Sequence, residues 1–231
     1  MSDQRLLLLW DIDGTLLQRA SLEHALALHR ALEEVHGAEA LHEHRVEAAG
    51  RTDGAIARDL LVAAGLAPEA IDARADDVLA ACCAAYDELC PPDLSARVAP
   101  GIPSVLAALS EHPDRYRFSL VTGNYERVAR LKLERAGIGH HFEPGQGGFG
   151  SDAEERERLP PIARERAGGW PRERTVVIGD TPRDIACARA DGLRVVAVGT
   201  GPYSLDQLAD ADAVVDGAAA LPPVLEDLAR G

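Results

Sequence analysis

At 231 residues the chain has room for one large domain or two modest ones. Thirty-eight acids against twenty-four bases give a formal charge of −14, which argues against a nucleic-acid backbone or an anionic membrane surface as partner. A hydrophobic share of 46% with 27% charged residues is that of a folded globular protein and excludes a disordered acidic tail. Of the bases only Lys132 is a lysine, so any chemistry that needs a lysine amine runs through it or not at all. The four cysteines, Cys82, Cys83, Cys90 and Cys187, show no CxxC spacing and suit a reduced cytosolic chain.

In chain order, the first element is the apolar run Leu6–Trp10, too short for a signal peptide or membrane span and closed at once by acids. It reads as a buried parallel strand, as do residues 116–121 and 175–178. Residues 193–198 and 213–215 read as two more, with a weak short strand near 141–143. Helical stretches at 102–110, 126–136 and 184–190 alternate with them, which predicts a doubly wound α/β sheet. More than a hundred residues separate the first two strands, too many for one crossover. Helices predicted over 21–35, 52–61 and 68–89 fill most of that gap, so residues 16–97 read as an inserted helical domain. The sheet domain would then comprise residues 1–15 and 98–231. Residues 144–150, with four glycines, read as loop, followed by a highly charged stretch at 151–158.

Chemistry concentrates at three strand ends, where ligands bind in doubly wound sheets. Asp11-Ile12-Asp13-Gly14-Thr15 places two carboxylates at i and i+2, on the same side of the chain. One can attack as a nucleophile while the other moves a proton, and both can ligate a hard cation; the alternative is that they are turn residues stopping a strand. Thr122-Gly123-Asn124 offers a hydroxyl and backbone N–H groups at a helix start, a cradle for an anion. Gly179-Asp180-Thr181-Pro182-Arg183-Asp184 supplies two further carboxylates, though Asp180 and Thr181 could merely cap a helix. Capping explains each loop singly, but not three such loops on one sheet.

With these motifs the chain resembles the haloacid dehalogenase-like hydrolase superfamily. The insert resembles the helical cap of its phosphoglycolate phosphatase and β-phosphoglucomutase relatives. The resemblance implies an Mg²⁺-dependent phosphatase acting on a small phosphorylated metabolite. Asp11 would attack phosphorus and form an aspartyl-phosphate. Asp13 would protonate the leaving alcohol and then deprotonate water. Asp11, the Asp13 carbonyl and Asp180 would hold Mg²⁺, with Asp184 acting through water or orienting the site. Thr122, Gly123 and Asn124 would bind the phosphoryl oxygens.

One motif departs from the family pattern. A lysine is expected some two dozen residues before Asp180, and Lys132 lies far too early, on the helix after the second motif. Arg156 and Arg158 fall in that window, Arg156 being the better spaced; arginine keeps the charge but changes reach and hydration. In the insert, Gly50-Arg51-Thr52-Asp53 could present Arg51 to substrate or be an ordinary helix cap. Five of the eight histidines fall between His24 and His44 and read as surface helix residues rather than a metal site. The cysteines read as packing residues. Asp13 argues against a dehalogenase, and the lack of any lysine before position 132 excludes a phosphonate hydrolase that uses a cap lysine. A phosphosugar mutase is the alternative activity, and a non-catalytic binding protein on the same fold a further one. Oligomeric state is not legible.

Overall fold

The computed structural model describes residues 4–38 and 46–230. Its sheet has six parallel strands, β1 (Leu6–Trp10), β2 (Tyr116–Thr122), β3 (Gly148–Phe149), β4 (Thr175–Gly179), β5 (Arg194–Val198) and β6 (Ala213–Val215), in the order β3-β2-β1-β4-β5-β6. The order runs outward in both directions from β1, so the doubly wound fold read from the sequence is the fold observed. Leu6, Leu8 and Trp10 of β1 enter one hydrophobic cluster, Leu7 and Leu9 the other, and all five are fully buried. At ~2 kcal/mol for each fully buried leucine, this strand is a major anchor of both layers. It is also why β1 reads as a continuous apolar run without alternation.

Between β1 and β2 lie α1 (Leu22–His36), α2 (Asp53–Ala63), α3 (Pro68–Asp72), α4 (Ala75–Leu89) and α5 (Ile102–Ser110). α1 packs along α4, and α4 packs on α6 (Glu126–Arg135), the helix that follows β2. The long helix expected over 68–89 is therefore two helices. Its break falls at Ala73 and Arg74, where the Arg74 guanidinium bonds the carbonyl of Val35 near the end of α1 and the Asp77 carboxylate at 2.9 Å. The short strand expected near 141–143 is instead a 3-10 turn, Gly139–His141, and β3 lies further on within the glycine-rich stretch. There Leu159 sits so close that a Cβ on Gly148 would lie 2.3 Å from its carbonyl oxygen.

The remaining helices are α7 (Leu159–Arg166), α8 (Pro182–Ala190) and α9 (Leu221–Arg230). Two of these were not expected from the sequence, α7 and α9, and each begins Leu-Pro-Pro. Proline is tolerated in a first helical turn, where its missing N–H has no intrahelical role. No helix of the described residues is long and apolar enough to cross a membrane.

Candidate active site

The sheet order reverses between β1 and β4, and their carboxyl ends open the crevice in which such folds bind ligands. Asp11 leaves β1 with its N–H still donating to Ile178 of β4 at 2.9 Å. Asp180 follows β4 directly. It is wedged between two glycines: a Cβ on Gly14 or on Gly201 would lie 2.2 or 1.7 Å from its Oδ2. Gly14 also has φ +94°, so its lack of a side chain is required twice over. The Thr15 hydroxyl donates to Asp180 Oδ1 at 2.9 Å.

Asp184 lies one turn into α8, where it closes a capping box with Thr181. The Thr181 N–H and hydroxyl donate to its Oδ2 at 3.0 and 2.8 Å. Its other oxygen and Asp11 Oδ1 share the Nη2 of Arg156, which is 2.9 Å from Asp11. Arg156 is thus the arginine that enters the site, buried on a 3-10 turn at Arg156–Arg158, while the Arg158 side chain is 68% exposed and faces Glu155. Arg156 Nε is buried without a hydrogen-bond partner, a donor not used by the protein's own acids.

Asp11, Asp180 and Asp184 each bring a carboxylate oxygen within 4.8 Å of the others, and all three are buried. One guanidinium lies among three acids, and two of the acids, Asp11 and Asp180, are raised in proton affinity. Burial pushes the Asp11 carboxyl up to about 7, against the pull of Arg156. Burial, reinforced by Asp11 and Asp184, pushes Asp180 up to about 8. An all-oxygen donor set of this kind, short of one compensating cation, fits a hard divalent metal ion.

Asp13 has the opposite environment. Its Oδ2 accepts from Lys132 Nζ at 2.6 Å and from Asn124 Nδ2 at 2.9 Å. Burial alone would raise its pKa, but the Lys132 charge and these two hydrogen bonds hold it below the ordinary carboxylate value. Lys132 thus reaches the site by a route that the motif spacing did not indicate. It is too early for the third motif, yet α6 returns it to the site, where it is fully buried and bonds Asn124 Oδ1 at 2.7 Å and His24 Nδ1 at 3.2 Å. Its neighbours on α6, Val128, Ala129 and Leu133, form a buried stripe, and a lone lysine on that stripe was the available signal.

His24 likewise departs from the surface reading: it is buried, and its Nε2 lies 3.0 Å from Asp53 Oδ2. Asp53 Oδ2 also accepts the Tyr125 N–H at 2.7 Å, and the Asp53 N–H donates to the Gly123 carbonyl at 2.8 Å. The insert thus touches the second motif loop directly. His42 and His44 lie outside the described residues. All four cysteines are buried, as their packing role required.

The second motif surrounds the same crevice. Thr122 Oγ1 accepts from Asn124 Nδ2 at 3.0 Å and is fully buried. Gly123 passes so near the insert that a Cβ would lie 1.9 Å from the Arg51 carbonyl oxygen. Arg51 lines the cavity, but its guanidinium is engaged by Asp59 at 2.6 Å and by the Ala55 carbonyl at 3.2 Å. The cavity, about 770 Å³, runs from Asp11, Asp13, Thr122, Arg156 and Asp180 to a wall of the insert that includes Leu28, Val46, Ile56 and Leu60.

Comparison with known proteins agrees with this geometry. The haloacid dehalogenase-like hydrolase family matches residues 8–189, and a related HAD-hydrolase-like family matches residues 156–228. No curated protein matches the chain. Among solved structures, a β-phosphoglucomutase from Clostridium difficile is 17% identical, with a TM-score of 0.67 over 100% of this chain and 98% of its own. A hydrolase from Pseudomonas syringae is 17% identical, with a TM-score of 0.66 over 96% and 98%. A predicted phosphoglycolate phosphatase from Haemophilus somnus is 20% identical, with a TM-score of 0.61 over 96% and 98%. The family match spans most of the sequence and contains all three motif loops, so the chain belongs to the haloacid dehalogenase-like hydrolases.

Proposed function

We propose that the protein is an Mg²⁺-dependent phosphatase that hydrolyses a small phosphorylated metabolite through an aspartyl-phosphate on Asp11. The observation that carries this reading is geometric: at one end of a single cavity Asp11 meets Arg156 beside the buried Asp180 and Asp184, while Asp13 faces Lys132 and Asn124 instead. Two carboxyls held by such different partners are suited to different roles.

In the first step an Asp11 oxygen attacks phosphorus and the bond to the leaving alcohol breaks, while Asp13 gives its proton to the departing oxygen. The negative charge of a bound phosphoryl group opposes Lys132 and favours the protonated form of Asp13 needed here. In the second step Asp13 takes a proton from water. The water oxygen attacks phosphorus, the bond to Asp11 breaks, and phosphate leaves. Arg156 supplies charge beside Asp11, with Nε available as a further donor. The Thr122 hydroxyl, which only accepts from Asn124, keeps its hydrogen for a phosphoryl oxygen, joined by the Gly123 and Asn124 amides. Asp11, Asp180 and the Asp13 carbonyl would hold Mg²⁺, with Asp184 oriented behind them. Bound there, the ion would offset the charge that an anionic substrate meets at an anionic nucleophile.

The reading extends to domain roles. Residues 16–97 act as a cap over a core formed by residues 1–15 and 98–231, and the cap excludes bulk water during the reaction. A mutase must also hold a second phosphoryl group on the cap side. Among the described residues Leu28, Val46, Ile56 and Leu60 line that side and Arg51 is already engaged by Asp59, which supports hydrolysis as the first reading.

The test is phosphate release from a panel of phosphorylated metabolites with Mg²⁺. Release that stops with EDTA is expected. Isomerisation of a sugar phosphate with little free phosphate would instead establish the mutase, and a metal-independent rate would contradict the assignment.

A further inference from the structure

Lys132 enters the steps just described only as a charge that a bound phosphoryl group opposes, yet it is the chain's single lysine, is fully buried, and touches the proposed acid–base group. An ammonium carries three N–H donors and no acceptor. Here three acceptors surround it: Asp13 Oδ2 at 2.6 Å, Asn124 Oδ1 at 2.7 Å and His24 Nδ1 at 3.2 Å. The donor count is closed. Because Lys132 can only donate, it also fixes its partners. His24 must accept at Nδ1 and so directs its Nε2 proton to Asp53. Asn124 must turn its oxygen to Lys132, which leaves its NH₂ for Asp13 Oδ2 at 2.9 Å and Thr122 Oγ1 at 3.0 Å.

The two oxygens of Asp13 are therefore unequal. Oδ2 receives two donors, while Oδ1 is buried with no protein partner. A proton on Oδ2 would have to displace a charged donor, whereas a proton on Oδ1 displaces nothing. We propose that Lys132 is the positioning residue of Asp13: with Asn124 it occupies Oδ2 and so makes Oδ1 the oxygen that carries the transferred proton. The inference rests on the phosphatase reading and adds a residue to it. Lys132 touches neither substrate nor reacting atoms; it acts through Asp13.

Leaving-group dependence separates positioning from scaffolding. p-Nitrophenolate departs readily without a proton, whereas phenolate depends more strongly on one. The ratio of kcat/KM for p-nitrophenyl phosphate to that for phenyl phosphate therefore reports protonation by Asp13. In Lys132→Met and Lys132→Gln this ratio should widen roughly tenfold over wild type, with the phenyl ester losing most. In an Asp13→Asn background, Lys132→Gln should leave the ratio unchanged. Should Lys132→Met not fold, Lys132→Gln keeps the buried position polar and gives the same readout, with far-UV circular dichroism as the check on folding. Equal losses on both esters in a folded variant would reduce Lys132 to scaffolding and overturn the inference. A wild-type protein that releases phosphate from neither ester would overturn the phosphatase reading instead.

Discussion

Asp11 and Asp13 are two residues apart, but they stand in opposite electrostatic worlds. Around Asp11 three buried carboxylates cluster, two of them bonded to one guanidinium, and the Asp11 and Asp180 carboxyls are pushed up to about 7 and about 8. Around Asp13 an ammonium and an amide converge on one oxygen, and the carboxyl is pushed down. The difference teaches that one strand end can serve two kinds of chemistry without two pockets. Alternate residues leave β1 toward different neighbours, the first toward the acids after β4 and the second toward the basic end of α6.

The largest expected effect breaks the first of these regions. Asp11→Asn should lower turnover of p-nitrophenyl phosphate with Mg²⁺ by at least about 10³-fold while the protein stays folded, and retained activity would remove Asp11 as nucleophile. Next, Arg156→Ala should cost about 10²-fold in kcat/KM, because it strips from that cluster the one guanidinium that bonds it among the described residues, whereas Arg158→Ala should stay within about twofold. The reverse order would transfer the role to Arg158.

The second region is tested by stability. Lys132→Met leaves Asp13, Asn124 and His24 without their shared donor and should cost about 3 kcal/mol in urea unfolding. A loss below about 1 kcal/mol would show that the cluster adds little to folding.

The smallest effect sharpens the contrast through pH. Folded Asp11 and Asp180 retain protons that the unfolded chain releases near its ordinary value of 3.8. Their contribution is therefore full below about pH 4, falls as pH rises, and levels off above about 8. Asp13 runs the other way: its contribution is present above 3.8 and is lost as pH falls through its lowered folded value. Without divalent ions, melting temperature should fall from pH 5 to pH 8 less steeply in Asp180→Asn than in wild type. Mg²⁺ should raise it more at pH 8 than at pH 5, since the ion requires deprotonated ligands. Equal slopes in the two proteins would remove Asp180 from the account.

Much of this was legible because burial and chemistry leave different marks. β1, β2 and β4 are apolar runs that stop at Asp, Thr or Gly, so strand and site were read together. Arg156 followed from spacing, and the fold seats it beside Asp11. β3 was misplaced because two residues carry no periodicity, and the stretch near 141–143 follows a 3-10 turn instead. The break between α3 and α4 has no glycine or proline to announce it; it coincides with a tertiary bond from Arg74 to α1. Lys132 and His24 were missed for the same reason. Their significance depends on α1, α4 and α6 packing together, which no local pattern records. Arg51 shows the converse: its position at the cavity was legible, but its partner Asp59 was not.

The central claim is that Asp11 carries the phosphoryl group and Asp13 moves the proton. Mass spectrometry of Asp13→Asn quenched in acid during reaction with p-nitrophenyl phosphate and Mg²⁺ tests it most directly. The account predicts a phosphoryl group on the peptide containing Asp11, accumulating because its hydrolysis lacks a base. Phosphate on another residue, or continued turnover with no phosphorylated peptide, would contradict it.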